Sequence, residues 1–266
     1  MTVLAPERRD VALPLLETRS LVKRFGGLTA TDGVSLQLRP GEVHALIGPN
    51  GAGKTTLIGQ LTGEIAPDVG SVWLAGQDVT SLSVASRARL GLGRSYQISQ
   101  VCADFTALEN VALAALSMDR QGLGSAFGSW RPLKSQATVM DRAQQALQRV
   151  GLAARADRPA RDMAHGEHRQ LELAMALALQ PRMLLLDEPL AGMSGHESDT
   201  LVALLQQLRD EYPVLLVEHD MKAVFALADR ISVLVYGRVI ATGTPDEIRA
   251  HAEVRAAYLG EEGLQA

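Results

Sequence analysis

Glycine, lysine and hydroxyl side chains meet at Gly48-Pro49-Asn50-Gly51-Ala52-Gly53-Lys54-Thr55-Thr56. From Gly48 to Thr55 the spacing is G-x-x-x-x-G-K-[ST], that of a loop whose backbone N–H groups point inward around a polyphosphate. Glycine is expected there because side chains would obstruct the close approach of backbone to phosphate. Lys54 is placed to reach the β- and γ-phosphates, and the Thr55 hydroxyl to complete a Mg²⁺ shell. A helix opening near Gly53 adds the positive end of its dipole, worth about 0.3–2 kcal/mol to an anion at the first turn.

Four other stretches narrow that chemistry. Met183-Leu184-Leu185-Leu186-Asp187-Glu188 is an apolar run delivering two carboxylates, Asp187 suited to hold Mg²⁺ and Glu188 to polarise an attacking water as general base. Leu215-Leu216-Val217-Glu218-His219-Asp220 repeats the pattern, with His219 able to hydrogen-bond a γ-phosphate. In Gly93-Arg94-Ser95-Tyr96-Gln97, Gln97 is a candidate for touching the metal or its water. Met163-Ala164-His165-Gly166-Glu167 precedes a helical segment, which puts Gly166 at a helix N-terminus able to face an anion. His165 and His168 lie three apart, but no cysteine or convergent histidine accompanies them, and they are not read as metal ligands.

These groups need elements to hold them. Val43 to Ile47 reads as a buried strand before the loop, and Leu57, Ile58 and Leu61 fall at helical spacing after it. Leu15 to Phe25 and Gly33 to Leu38 read as an antiparallel pair, and Gly70 to Gly76 as a further strand between glycine turns. Ser83 to Leu90 reads as a short helix. Helices over Leu108 to Met118 and Met140 to Val150, separated by a Gly/Ser/Trp/Pro loop at 121–135 containing Trp130, make 98–162 a helical insertion. Beyond it, strands and helices alternate: helix 167–179, strand 183–186, helix 197–209, strand 214–217, helix 221–228, strands 231–236 and 238–242, and a terminal helix. Alternation over such a loop predicts a mainly parallel sheet with ligands at the carboxyl ends of its strands. The fold class is therefore α/β, a P-loop NTPase core of the RecA-like kind with an antiparallel β subdomain and an α-helical subdomain. The division is 1–97 with 163–242 for the β subdomain and core, 98–162 for the helical subdomain, and 243–266 for a terminal helix and tail. No second cradle is visible.

The 266 residues are 47% hydrophobic, enough for a sizeable core, and the net charge of −4 without a long Lys/Arg block argues against a nucleic-acid partner. The single cysteine, Cys102, fits a reducing compartment. Residues 1–13, with Arg8, Arg9 and Asp10, hold no apolar core long enough for a signal peptide, and no later stretch approaches about 18 uncharged apolar residues, so no membrane span is expected either.

In order and spacing the motifs resemble the ATP-binding cassette (ABC) ATPases over nearly the whole chain. FGGLTATDGVSL, LIGPNGAGKTTL, LLLDEPLAGM, LLVEHDMKAVFALADRISVL and GRVIATGTPDEI, with the ending VRAAYLG, look most like the ATPase subunit of branched-chain amino acid importers. The resemblance implies that Phe25 stacks on adenine, Gly48 to Thr56 form the Walker A motif, and Gln97 is the Q-loop glutamine. Asp187 and Glu188 are then the Walker B pair, His219 the switch histidine, and Ala164 to Glu167 part of the signature motif. It further implies ATP and Mg²⁺ as ligands, and a head-to-tail pair of cassettes in which each ATP lies between one chain's cradle and the other's signature. Membrane permease subunits, a periplasmic solute-binding protein acting through them, and a cytoplasmic location on the inner face of the membrane follow in the same way, with Trp130 a candidate anchor on the permease.

The signature departs from the usual Leu-Ser-x-Gly-Gln or Glu, since Met163 and Ala164 hold the first two places and the serine hydroxyl is missing. One lost charge-assisted hydrogen bond costs about 1.5–3 kcal/mol, which favours a non-identical partner cassette completing this chain's intact cradle. The cassette that extracts lipopolysaccharide has a close pattern and is the alternative. A soluble cassette of translation or repair is a third reading, but those carry two cradles or long coiled-coil insertions, which are absent here. The transported solute, whether a branched-chain or other amino acid, an amide, urea or a small aromatic acid, is left open.

Overall fold

Every residue of β3 (Val43–Ile47) is buried, as expected of a strand at the middle of a sheet covered on both faces. The structure, a computed structural model, describes residues 13–94, 101–117 and 136–259. The readings at residues 1–12, Ser95 to Gln97, the 121–135 loop with Trp130, and the final tail lie outside them. In the six-stranded sheet β3 lies between β9 (Arg230–Val235) and β8 (Val214–Val217), followed outward by β7 (Met183–Asp187) and β6 (Leu92–Arg94). All these neighbours run parallel, and only β10 (Arg238–Gly243) pairs antiparallel, with β9. Leu46 pairs with Val217, and Val217 with Asp187. Parallel registry therefore brings the three polar sequences that follow these strands to one edge.

A second, antiparallel sheet has the order β2-β1-β4-β5, from β1 (Leu16–Phe25), β2 (Leu28–Leu38), β4 (Val69–Leu74) and β5 (Gln77–Asp78). The sequence reading began the second strand at Gly33; β2 instead begins five residues earlier and runs through that glycine. The pairing steps from Leu21–Val34 to Val22–Asp32, so Gly33, at φ +73°, is the extra residue of a β-bulge rather than a strand start. Helix α1 (Lys54–Thr62) fills the space between the sheets, burying Leu57, Ile58 and Leu61 against Leu36, Leu38, Leu46 and Leu215. Its carboxyl end is held by the buried guanidinium of Arg87, from α2 (Val84–Arg89). Arg87 donates to the carbonyls of Gln60 (2.6 Å), Leu61 (2.7 Å), Thr80 (2.8 Å) and Leu82 (3.2 Å).

The helices α3 (Ala107–Ser117), α4 (Ala137–Arg149) and α5 (His165–Ala178) share one apolar cluster with the other face of β7 and β8 and with α6 (Gly195–Leu208). Leu171, Ala174 and Ala178 of α5 are buried there with Val111, Ala143, Leu184 and Leu216. A third cluster covers Ala45, Ile47, Ile231 and Val233 with α7 (Met221–Leu227) and α8 (Pro245–Ala250). No helix of the described residues is long and apolar enough to cross a membrane.

Candidate nucleotide-binding site

The loop 48–53 joins β3 to α1, and a cleft of about 480 Å³ beside it is lined by Phe25, the stretch Asn50 to Thr56, and Glu188. Two of its glycines are required for a reason the sequence does not show. A Cβ on Gly48 would lie 2.1 Å from the carbonyl oxygen of Leu234 in β9, and one on Gly53 2.1 Å from that of Ala30 in β2. Glycine there lets the loop sink between two neighbouring strands, whereas at Gly51, φ +78°, the space is open and it is the backbone conformation that calls for glycine. The expectation that the glycines chiefly clear room for phosphate is corrected accordingly at Gly48 and Gly53. The ammonium of Lys54 donates to the carbonyls of Gly48 (2.5 Å) and Pro49 (3.0 Å), folding back over the loop it follows. Burial pushes its pKa below the ordinary lysine range, opposed by the charges of Glu188 and Asp187.

Asp187 ends β7 almost fully buried, with Arg94 at 3.8 Å. Burial raises its pKa, while Arg94 acts to lower it. Glu188 follows in the left-handed region at φ +49°, where its N–H still donates to Val217 O at 2.8 Å as its side chain lines the cleft. Such backbone strain is found at sites the surrounding structure over-determines. His219 places Nδ1 at 3.9 Å from Glu188 and 3.7 Å from Glu218. The Thr55 hydroxyl and the Asp187 carboxyl are hard oxygen donors of the kind Mg²⁺ takes. Among the described residues no three His, Cys, Asp or Glu side chains form a metal cage of their own.

Sequence reasoning missed Glu218. Fully buried, it accepts hydrogen bonds on Oε1 from Leu190 N at 2.8 Å, and on Oε2 from His219 N at 2.9 Å and Asp220 N at 3.4 Å. One carboxylate thus ties the segment after Glu188 to the turn carrying His219. A carboxylate placed directly after the apolar run Val214 to Val217 was the available signal.

The signature residues are elsewhere. Ala164, Gly166 and Glu167 line a separate cleft with Met193 and Glu197, and none of them lines the cradle cleft. Ala164 occupies the N-cap of α5 without an oxygen to cap it; the Glu167 carboxylate accepts from its N–H at 2.9 Å. The Gly166 N–H, expected to face an external anion, donates to Glu197 Oε1 at 3.1 Å, a carboxylate of this chain. Glu197 also accepts from the hydroxyl and the N–H of Ser194, and these bonds with Gly166 hold its pKa below the usual range. His165 Nε2 lies 3.2 Å from Ala191 O, joining the signature to the segment after Glu188.

A phosphate loop between a central parallel strand and α1, with the two carboxylates and His219 at neighbouring strand ends, defines a P-loop nucleoside triphosphatase. Residues 31–191 match the family model described as ABC transporter, and residues 238–263 that of the branched-chain amino acid ATP-binding cassette transporter. The chain belongs to the ABC transporter family of ATPases. It is 42% identical over 253 residues to the high-affinity branched-chain amino acid transport ATP-binding protein LivG of Escherichia coli K12, covering 93% of this chain and 98% of that one. The lipopolysaccharide export system ATP-binding protein LptB of Acidithiobacillus ferridurans is 35% identical, with 93% and 98% covered. The crystal structure of the ADP conformation of an ATP-binding cassette of an ABC transporter matches with a TM-score of 0.83 at 29% identity, covering 94% of this chain and all of that one.

Proposed function

We propose that this chain is the ATP-hydrolysing subunit of an importer for branched-chain or related amino acids. It would bind the inner face of the membrane through permease subunits and serve, through them, a periplasmic solute-binding protein. The observation that carries the catalytic part is the meeting of Glu188 with the cradle cleft, with His219 3.9 Å away. The solute class rests on the greater identity to the amino acid relative than to the lipopolysaccharide one.

The loop 48–53 and Lys54 hold the triphosphate, Phe25 stacks on the base, and Glu188 takes a proton from the water that attacks the γ-phosphorus in line. His219 hydrogen-bonds the γ-phosphate, and Lys54 offsets the negative charge developing on the transferred group. Mg²⁺ would be held by Thr55 and Asp187, with Gln97 as a further ligand, and would supply positive charge to offset that of the triphosphate. The separate placement of the signature cleft supports a composite site, closed by a second cassette. Because Ala164 has no hydroxyl to offer that cassette's ATP, we favour a non-identical partner whose signature completes this cradle. ATP closes the pair and hydrolysis reopens it, and this movement drives the permeases.

Glu188→Gln tests the assignment. It is expected to keep ATP affinity within about threefold and to cut turnover by about 10²–10⁴-fold, the range for losing a general base. Turnover measured in the complete transporter, and unchanged by this substitution, would remove Glu188 from the role. Full ATPase activity of the chain as a homodimer would count against the unlike partner.

A further inference from the structure

The cradle cleft has a third large apolar or aromatic wall residue besides Phe25 and Leu28: Tyr236, which is 88% exposed. Its backbone is unusual. Tyr236 and Gly237 are the two central residues of the hairpin joining β9 to β10, where Val235 pairs with Arg238, and both have positive φ, +46° and +77°. That is a type I′ turn, for which Asn-Gly or Asp-Gly is the favoured pair, and a bulky aromatic in the left-handed region is an outlier. A residue kept in such a conformation with its ring exposed contributes little to the core.

The turn is also fixed against the site. Gly237 N donates to Ala52 O of the cradle at 2.9 Å, and Asp32 N of β2 donates to Gly237 O at 2.8 Å. Arg238 forks onto Asp32 Oδ2 at 2.6 and 2.8 Å. A Cβ at 237 would come within 2.9 Å of Ala30 O, so the glycine cannot be exchanged without moving the turn. The hairpin tip is thus held between the phosphate loop and the strand that follows Phe25, with Tyr236 at the cleft.

We propose that Tyr236 is a nucleobase-binding residue, which together with Phe25 and Leu28 takes the flat face of the purine. This rests on the assignment of the cleft to a nucleoside triphosphate. Recognition through a ring face, with no hydrogen bonds to base edges, serves adenine and guanine alike.

The test is binding of ATP, GTP and inorganic tripolyphosphate to the purified full chain and to Tyr236→Asn, Tyr236→Phe and Phe25→Ala. Asparagine suits the type I′ turn, so Tyr236→Asn removes the ring while keeping the hairpin. ATP and GTP are expected to bind Tyr236→Asn about tenfold more weakly, with tripolyphosphate unchanged and Tyr236→Phe close to the parent. Equal weakening of ATP and tripolyphosphate would mean that the turn only supports the cradle, and would overturn the proposal. If Phe25→Ala weakens ATP and Tyr236→Asn does not, Tyr236 alone is excluded. If neither does, the base lies elsewhere, and the assignment of this face of the cleft fails with it.

Discussion

Glutamine at position 218 would keep the shape of the side chain and remove one of its two acceptor atoms. Glu218 uses both, Oε1 for Leu190 N and Oε2 for His219 N and Asp220 N. Whichever way the amide turns, its NH₂ group faces a backbone N–H, and either the Leu190 bond or the His219 side is lost. A hydrogen bond to a charged acceptor contributes about 1.5–3 kcal/mol, and a buried donor left unpaired costs about 1–3 kcal/mol, two descriptions of one loss rather than a sum. Glu218→Gln should therefore destabilise the chain by about 2–3 kcal/mol. At roughly 2–4 °C per kcal/mol for a chain of this size, that lowers Tm by about 4–12 °C. The functional effect follows from where the bonds go. Leu190 lies two residues beyond Glu188 and His219 is the neighbouring residue, so the two sides of the reaction centre lose their common tie. A displacement of about 1 Å in a reacting group costs up to about 10²-fold, so kcat should fall about 10- to 100-fold, while KM for ATP, set by the cradle, should change by less than about threefold. Thermal melting and steady-state ATPase kinetics of the assembled transporter measure both. A parental Tm and kcat would refute the hydrogen-bond reasoning, and a lowered Tm with parental kcat would make Glu218 a purely structural tie.

Asp187→Asn should raise the Tm of the nucleotide-free chain at neutral pH while impairing hydrolysis. Burial raises the Asp187 pKa in the folded state, so the fold binds that proton more tightly than the unfolded chain and loses stability as pH rises through the unfolded and then the folded pKa. The advantage of asparagine is then fullest at neutral pH and disappears below about pH 4, where the unfolded carboxyl is also protonated; an equal or lower neutral-pH Tm would refute it. Arg87→Met should cost about 3–5 kcal/mol in urea unfolding, because four carbonyls, two of them buried, lose a common donor. An unchanged unfolding midpoint would show that water or a rearranged α2 replaces the guanidinium.

What could be read locally was read from the sequence. Apolar runs bounded by glycine and proline located β3, β7 and β8 to within a residue, and the spacing from Gly48 to Thr55 identified the phosphate loop, since backbone conformation and strand burial act over a few neighbouring residues. Asp187, Glu188 and His219 were recognisable as polar groups at the ends of apolar strands. Bringing them together was decided by the tertiary structure, because the sheet order β3-β8-β7 sets side by side three strands far apart in the chain. The same holds for the two acceptor faces of Glu218, for the carboxylate of Glu197 beneath Gly166, and for Tyr236 at a turn fixed to the cradle. The glycine pattern makes the last contrast plainest. The sequence by itself determined that residues 48 and 53 must be glycine, and only the packing of β9 and β2 decided why, through carbonyl oxygens of Leu234 and Ala30 that leave no room for a Cβ.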